Sequence, residues 1–295
     1  MKTLCRSSIA TGYLVVTMLG VSLCAREALA AQAGVSMSPG RPAVRMLVTD
    51  PGPIGINTTT ALFSQVAIGG GYKTVFTLLN TGGTDLSGIL ILTAGNGSPM
   101  HVTFTDPPAA PATGSSVDIG PIRSGGTKFI TASPVNPGDA TVTGWARVES
   151  SGGTVGGVGT FELTQAGKLT TIAGVLAGGT TNVATVPIDN NEALNRFTGY
   201  AIANPSSQNI NVKIVVVDVN GSTVHTLNLP QLNPLGPGQQ IARFLHQDLS
   251  SLLTFQGSMV LIGQAGSQFS VVALVVDQGL ITAVPVIPSK APGIN

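Results

Sequence analysis

The chain is 295 residues long and only 9% of them are charged, where an ordinary soluble domain carries about 25%. Its 14 Lys and Arg nearly balance its 13 Asp and Glu, so it lacks the clustered positive charge that displaces counterions from nucleic acid, and no nucleic-acid partner is expected. Few charges and a positive mean hydropathy weaken mutual repulsion and favour association, while 38 Gly and 19 Pro point to short strands and frequent turns rather than helices.

Residues 1–30 read as a signal peptide. Lys2 and Arg6 precede a mostly apolar run from Ile9 to Ala25, and Ala28-Leu29-Ala30 has the small-x-small pattern of a processing site, so cleavage is expected after Ala30. Acylation at Cys24 is disfavoured by Leu23, and an uncleaved anchor, whose span needs roughly 20 residues, by the Ser, Thr and Gly within the run 7–25. Cleavage removes Cys5 and Cys24, and with them disulfides, thiolate metal sites and a cysteine nucleophile. It leaves 11 basic against 12 acidic side chains. The expected location is extracellular or cell-surface, with the periplasm as the alternative, and no membrane span after cleavage. Residues 31–60, rich in Ala, Gly, Pro and Ser, read as a flexible leader, within which VRMLVTD at 44–50 has the pattern of an edge strand.

From there the chain repeats itself. Residues 71–103 align without a gap on 195–227, with Thr74 on Thr198, Asn80 on Asn204, Asn96-Gly97-Ser98 on Asn220-Gly221-Ser222, and His101 on His225. Only 6 of the 33 positions are identical, but apolar positions coincide as well, as a repeated fold requires. The register breaks after Thr105 and resumes at an offset near 113, where Gly125 meets Gly238 and Gly144 meets Gly257; the difference falls in the Pro/Ala/Ser-rich insertion 106–116, expected to be a loop.

Each copy reads as antiparallel β. In INVKIVVVDV, 210–219, alternation gives way to apolar residues on both faces, as in a strand covered on both sides. Asn220-Gly221, and Asn96-Gly97 before it, suit a type I′ hairpin with positive φ at both residues, so the repeated Asn-Gly-Ser is read as a turn rather than a glycosylation site. Further strands are expected at 141–150, 156–165, 255–264 and 269–277, and a short helix at 242–253 in the second copy only. The joint between copies is placed near Gly178-Gly179. The expected architecture is all-β: two tandem antiparallel β-sandwich domains of immunoglobulin-like type, 61–178 and 179–290, after the signal peptide and leader.

The run FSQVAIGGGYKTVFTLLNTGGTDLSGILIL, then GPIRSGGTKFIT, then TGWARVESSGGTVGGVGTFEL, resembles the tandem β-sandwich domains of certain secreted bacterial proteins met in Acidobacteria-like genomes; GYAIANPSSQNINVKIVVVD and FQGSMVLIGQ carry the pattern in the second copy. The resemblance implies a secreted sandwich protein and brings no catalytic residue with it.

The chemistry-bearing residues support no enzyme class. There is no G-x-S-x-G. His101, His225 and His246 are dispersed; His101 and His225 fall in equivalent return strands, and His246 with Asp248 at i, i+2 on a short helix would face different ways. Asp85, Asp118, Asp139, Asp189 and Asp218 sit beside turns, where Asp serves the backbone. AGKLTT at 166–171 lacks the upstream Gly of a phosphate loop and reads as a hairpin end. Asp218 with Asn220 falls short of a Ca²⁺ ligand set. Trp145 is mid-strand and expected to be buried, Tyr72 and Tyr200 are expected to flank strand starts, and sugar recognition through polar loops stays open. No catalytic, cofactor-binding or metal-ligating residue is assigned, and no cofactor. The expected function is a non-catalytic secreted or cell-surface structural or adhesion protein, whose partners are further copies of itself or other surface proteins. Strand donation by the leader 31–60 to a neighbouring subunit is one route. The alternatives are a glycan-binding accessory module and, less favoured, an unrecognised hydrolase.

Overall fold

The computed structural model describes residues 60–106 and 110–288, so the signal peptide, the body of the leader and the edge strand expected at 44–50 lie outside the described residues. The fold is all-β and its sheets are antiparallel.

In the first half the strands are β1 (Thr60–Ile68), β2 (Tyr72–Asn80), β3 (Leu86–Ala94), β4 (Val102–Thr105), β5 (Ala112–Gly114), β6 (Ser116–Asp118), β7 (Thr127–Ser133), β8 (Val142–Gly152), β9 (Val155–Gln165) and β10 (Lys168–Leu176). They form sheet 1, ordered β1-β8-β3-β6, and sheet 2, ordered β10-β9-β2-β7-β4-β5. The second half has β11 (Val183–Asn190), β12 (Arg196–Ala203), β13 (Val212–Asp218), β14 (Thr223–Leu227), β15 (Gln240–Phe244), β16 (Phe255–Gly263), β17 (Ser270–Asp277), β18 (Leu280–Val284) and β19 (Ile287–Pro288). They form sheet 3, ordered β14-β13-β16-β11-β19, and sheet 4, ordered β15-β12-β17-β18.

Strand alternation builds one apolar core per half. In β2 the residues Tyr72, Thr74, Phe76 and Leu78 point inward and are buried, while Lys73, Val75 and Thr77 point out. Phe76 meets Phe63 of β1 edge-on, ring centroids 5.2 Å apart, and Leu90, Leu92 and Val148 of sheet 1 complete the cluster. Sheets 1 and 2 thus stack face to face, consistent with a β-sandwich. Ile188, Tyr200, Ile202, Ile214 and Leu261 do the same for sheets 3 and 4.

The repeated residues have repeated jobs. Asn80 Nδ2 donates to the carbonyls of Thr84 and Ile122, and Asn204 Nδ2 donates to those of Gln208 and Leu235. Each Asn carbonyl oxygen in turn accepts from the backbone two residues on, at Gly82 and Ser206. Gly125 N donates to Asn80 O as Gly238 N does to Asn204 O, and both glycines have positive φ. A Cβ on Gly144 would lie 2.1 Å from the Thr93 carbonyl oxygen, and one on Gly257 2.2 Å from that of Val217, so both strands need glycine for close approach.

The Asn-Gly-Ser turns differ from expectation. Gly97 (φ 87) and Gly221 (φ 86) are left-handed, but neither Asn96 nor Asn220 is. Gly97 N donates to Ala94 O and Ala94 N to Ser98 O; Gly221 N to Asp218 O and Asp218 N to Ser222 O. Each is a type I turn closed by a left-handed glycine, the three-residue hairpin loop, rather than type I′. Paired positive φ occurs instead at Ala166-Gly167 and Gln278-Gly279, the β9–β10 and β17–β18 turns, so AGKLTT is indeed a hairpin end.

After the repeated turn the copies diverge. β14 stays beside β13, with Ile214 opposite Leu227, whereas β4 crosses to sheet 2 and pairs with β7. The place β14 takes is filled in the first half by β6, with Leu90 opposite Val117. The insertion is therefore more than a loop: its end supplies β5, which extends β4, and leads directly into β6. His101 lies just before β4 while His225 lies inside β14, so the two histidines do not occupy equivalent strands. The helix expected at 242–253 is shorter than its apolar spacing suggested. Residues 242–244 complete β15, α1 (Leu245–Asp248) makes a single turn, and Ser250–Leu252 is a 3₁₀ turn.

Candidate functional site

The two halves meet across a seam of apolar, aromatic and polar side chains. Sheet 2 is wider than sheet 1, and its overhang, β9 and β10, reaches the outer face of sheet 4. Tyr72, Phe161, Ala173 and Val175 of the first half pack there against Ala201, Phe244, Val272 and Leu274 of the second, forming a third buried cluster. A register shift in β1 between Phe63 and Val66 sends Ser64 and Gln65 toward the same seam. Ser64 Oγ is 2.6 Å from Ser270 Oγ, and Gln240 Nε2 donates to Gln65 Oε1 at 2.6 Å and to Ser64 O at 3.1 Å.

Trp145 closes the seam at its other end. It is buried as expected, yet outside both sandwich cores, packed with Leu62 and Ala203. Its Nε1–H donates to the carbonyl of half-buried Gly238, in the opposite half, at 2.7 Å. The Arg147 guanidinium lies 5.7 Å from the centre of its ring.

Titratable groups gather around α1, with Tyr200 on the core side of sheet 4 and His246 beside the seam residues Phe197 and Phe244. Tyr200 lies mid-strand in β12 and fully buried, not at a strand start, and its hydroxyl donates to Asp248 Oδ2 at 2.8 Å. Arg243 Nε stands 2.6 Å from Asp248 Oδ1, with its N–H poorly aligned to the N···O line. Both Asp248 oxygens are thus engaged by groups other than His246. Burial, and then the Asp248 charge and hydrogen bond, hold the Tyr200 hydroxyl protonated far above its ordinary range. Burial likewise pushes up the Tyr72 hydroxyl, at the start of β2.

His246 turns to the other side of α1 and lies against Phe197 (ring centroids 4.1 Å apart) and Phe244 (5.6 Å). Its Nδ1 is buried and finds no partner among the described residues. Burial lowers its pKa from 6.5, partly offset by the charges of Asp248 and Glu192. Asp189, far from serving a turn, is in β11 and accepts from Gln256 and Arg196; the Gln256 hydrogen bond is the leading cause of its lowered pKa. Arg196 also reaches Asp277 Oδ2 through Nε and Nη2. Asp118, Asp139 and Asp218 do serve turns, accepting from the backbone of Gly120, Asn136 and Asn220.

Chemically, the seam supplies buried apolar contact and hydrogen bonds between the two halves. The only titratable side chain with a buried, unpaired polar atom next to aromatic rings is His246 among the described residues, and no carboxylate aligns it as a base. His225 Nε2 is 3.4 Å from Ser251 Oγ, but no group of three or more His, Cys, Asp or Glu that could hold a metal ion occurs among the described residues. No described helix is long and apolar enough to cross a membrane. The seam polar residues Ser64, Gln65, Gln240 and Ser270 carry no sequence signal, because their partners lie 175 residues or more away. Comparison with known proteins returns no matching family model, no matching curated protein and no matching solved structure.

Proposed function

We propose that this chain is a non-catalytic structural or adhesion protein, secreted or displayed at the cell surface, built from two tandem immunoglobulin-like β-sandwich domains at 61–178 and 179–290. The signal peptide 1–30 would direct its export, and the resemblance to secreted bacterial sandwich proteins points the same way.

The observation that carries the reading is the buried seam. Neighbouring domains in a chain move relative to one another unless their interface is large and hydrophobic. Here an apolar cluster from both halves is fastened at one end by Trp145 to Gly238 and near Ser64 by Gln240 to Gln65. Such a joint resists hinging, which suits a spacer or an assembly subunit and works against a cleft that must open and close around a substrate.

The test is light scattering coupled to size exclusion across a concentration series, run beside a glycan array. Concentration-dependent growth without saturable sugar binding supports the structural role. A monomer at every concentration that binds one glycan class would replace it with the accessory-module reading.

A further inference from the structure

Sheet 2 has one buried face and one open face, and we propose that the open face is the surface through which two copies of this chain associate, sheet against sheet. This rests on the structural reading above and names its contact.

The register places four large apolar side chains on that face. Phe129, Thr77, Val158 and Leu176 form one row across β7, β2, β9 and β10; Leu79 lies in the next row on one side, and Ile172 two rows away on the other, beside Glu162. Phe129 is 60% exposed, Leu176 57%, Ile172 50% and Leu79 39%. The positions between them are filled by β-branched residues, as in the row Thr105, Thr131, Val75 and Thr160. Its described ion pair is Lys73 with Glu162, 3.0 Å apart and internally neutralised.

Three arguments select a second copy as the occupant. First, the face is neutral, so it offers no complementary charge to a polyanion or a basic partner and is compatible with itself. Second, six strands at about 4.8 Å spacing and about six residues of depth expose roughly 600 Å², so two copies would bury roughly 1,200 Å², the lower limit of a stable interface. Third, sheet-on-sheet packing of this kind already occurs inside the chain through the opposite face of the same sheet, where Phe161, Ala173 and Val175 cover the outer face of sheet 4.

The experiment compares the full chain with the double variant Phe129→Glu, Leu176→Glu, whose like charges cannot pair with one another across a two-fold contact, by sedimentation equilibrium, with Ile89→Lys on the outer face of sheet 1 as the control. All three positions are at least 45% exposed, and matched circular dichroism and melting temperature establish that the variants fold. The expected result is a wild-type dimer, an unchanged control, and a dissociation constant raised about hundredfold or more in the double variant, because each copy would bury unpaired charges. Dimers that persist in the double variant overturn this face while leaving the structural role standing. A wild-type monomer up to the highest soluble concentration overturns both. Loss of polysaccharide pull-down in the double variant, with no change in mass, would assign the face to a glycan instead.

Discussion

Trp145→Phe isolates the contribution of the seam. Trp145 is fully buried, and its Nε1–H is the sole described donor to the Gly238 carbonyl, at 2.7 Å. Phenylalanine keeps most of the apolar contact with Leu62 and Ala203 but takes the donor from that half-buried carbonyl. The lost hydrogen bond at a half-buried acceptor costs about 0.5–1.5 kcal/mol, and the smaller ring forfeits about 1 kcal/mol more of packing. The sum, about 1.5–2.5 kcal/mol, corresponds to a melting temperature lower by roughly 3–10 °C for a chain of this size. Calorimetry reads it directly. Wild type should unfold in one transition, because neither half can leave without exposing the shared cluster; the variant should melt earlier, with any splitting appearing only after the seam is weakened. A loss below about 0.5 kcal/mol, the scale of an ordinary surface substitution, would refute the reasoning, since it would mean that water reaches Gly238 and the halves are not closed over it.

Tyr200→Phe should cost about 1.5–3 kcal/mol in urea unfolding, because Asp248 Oδ2 loses its donor in a site whose side chain is 2% exposed. Asn80→Ala and Asn204→Ala should each destabilise by about 2–4 kcal/mol, since each removes at least three hydrogen bonds at an equivalent corner; a large effect at one site only would deny the equivalence. His246 is held below its ordinary pKa of 6.5, so the unfolded chain binds the additional proton: its contribution to stability is full above pH 6.5 and declines as pH falls through the folded value. Wild type should therefore lose stability on acidification below pH 6.5 by an increment that His246→Phe lacks. Asp189, also depressed, acts in the same direction but only as pH falls below its ordinary 3.8, so melting curves at closely spaced pH values separate the two.

Much of this was legible without coordinates because it is local. Alternation and turn residues placed β8, β9, β16 and β17 within a residue or two at most of their ends, and the repeat pointed to Asn80, Asn204, Gly144 and Gly257 before their roles were visible. A strand records which face is apolar in its own residues, and a glycine records that a backbone is close by.

What the sequence could not specify depends on partners distant along the chain. Asn-Gly was enough to announce a turn but not its type, because the flanking register decides whether one or two residues must be left-handed. Whether a return strand stays beside its hairpin partner depended on a competitor: β6 holds the free edge of β3, so β4 crosses to sheet 2, while the edge of β13 has no such claimant and β14 keeps it. Burial of Trp145 could be read from its place in a strand, but whether it served a core or a joint could not. That depended on Gly238, 93 residues away, and on the overhang of sheet 2. Apolar pattern determines that a surface must be covered; only the tertiary structure decides by what.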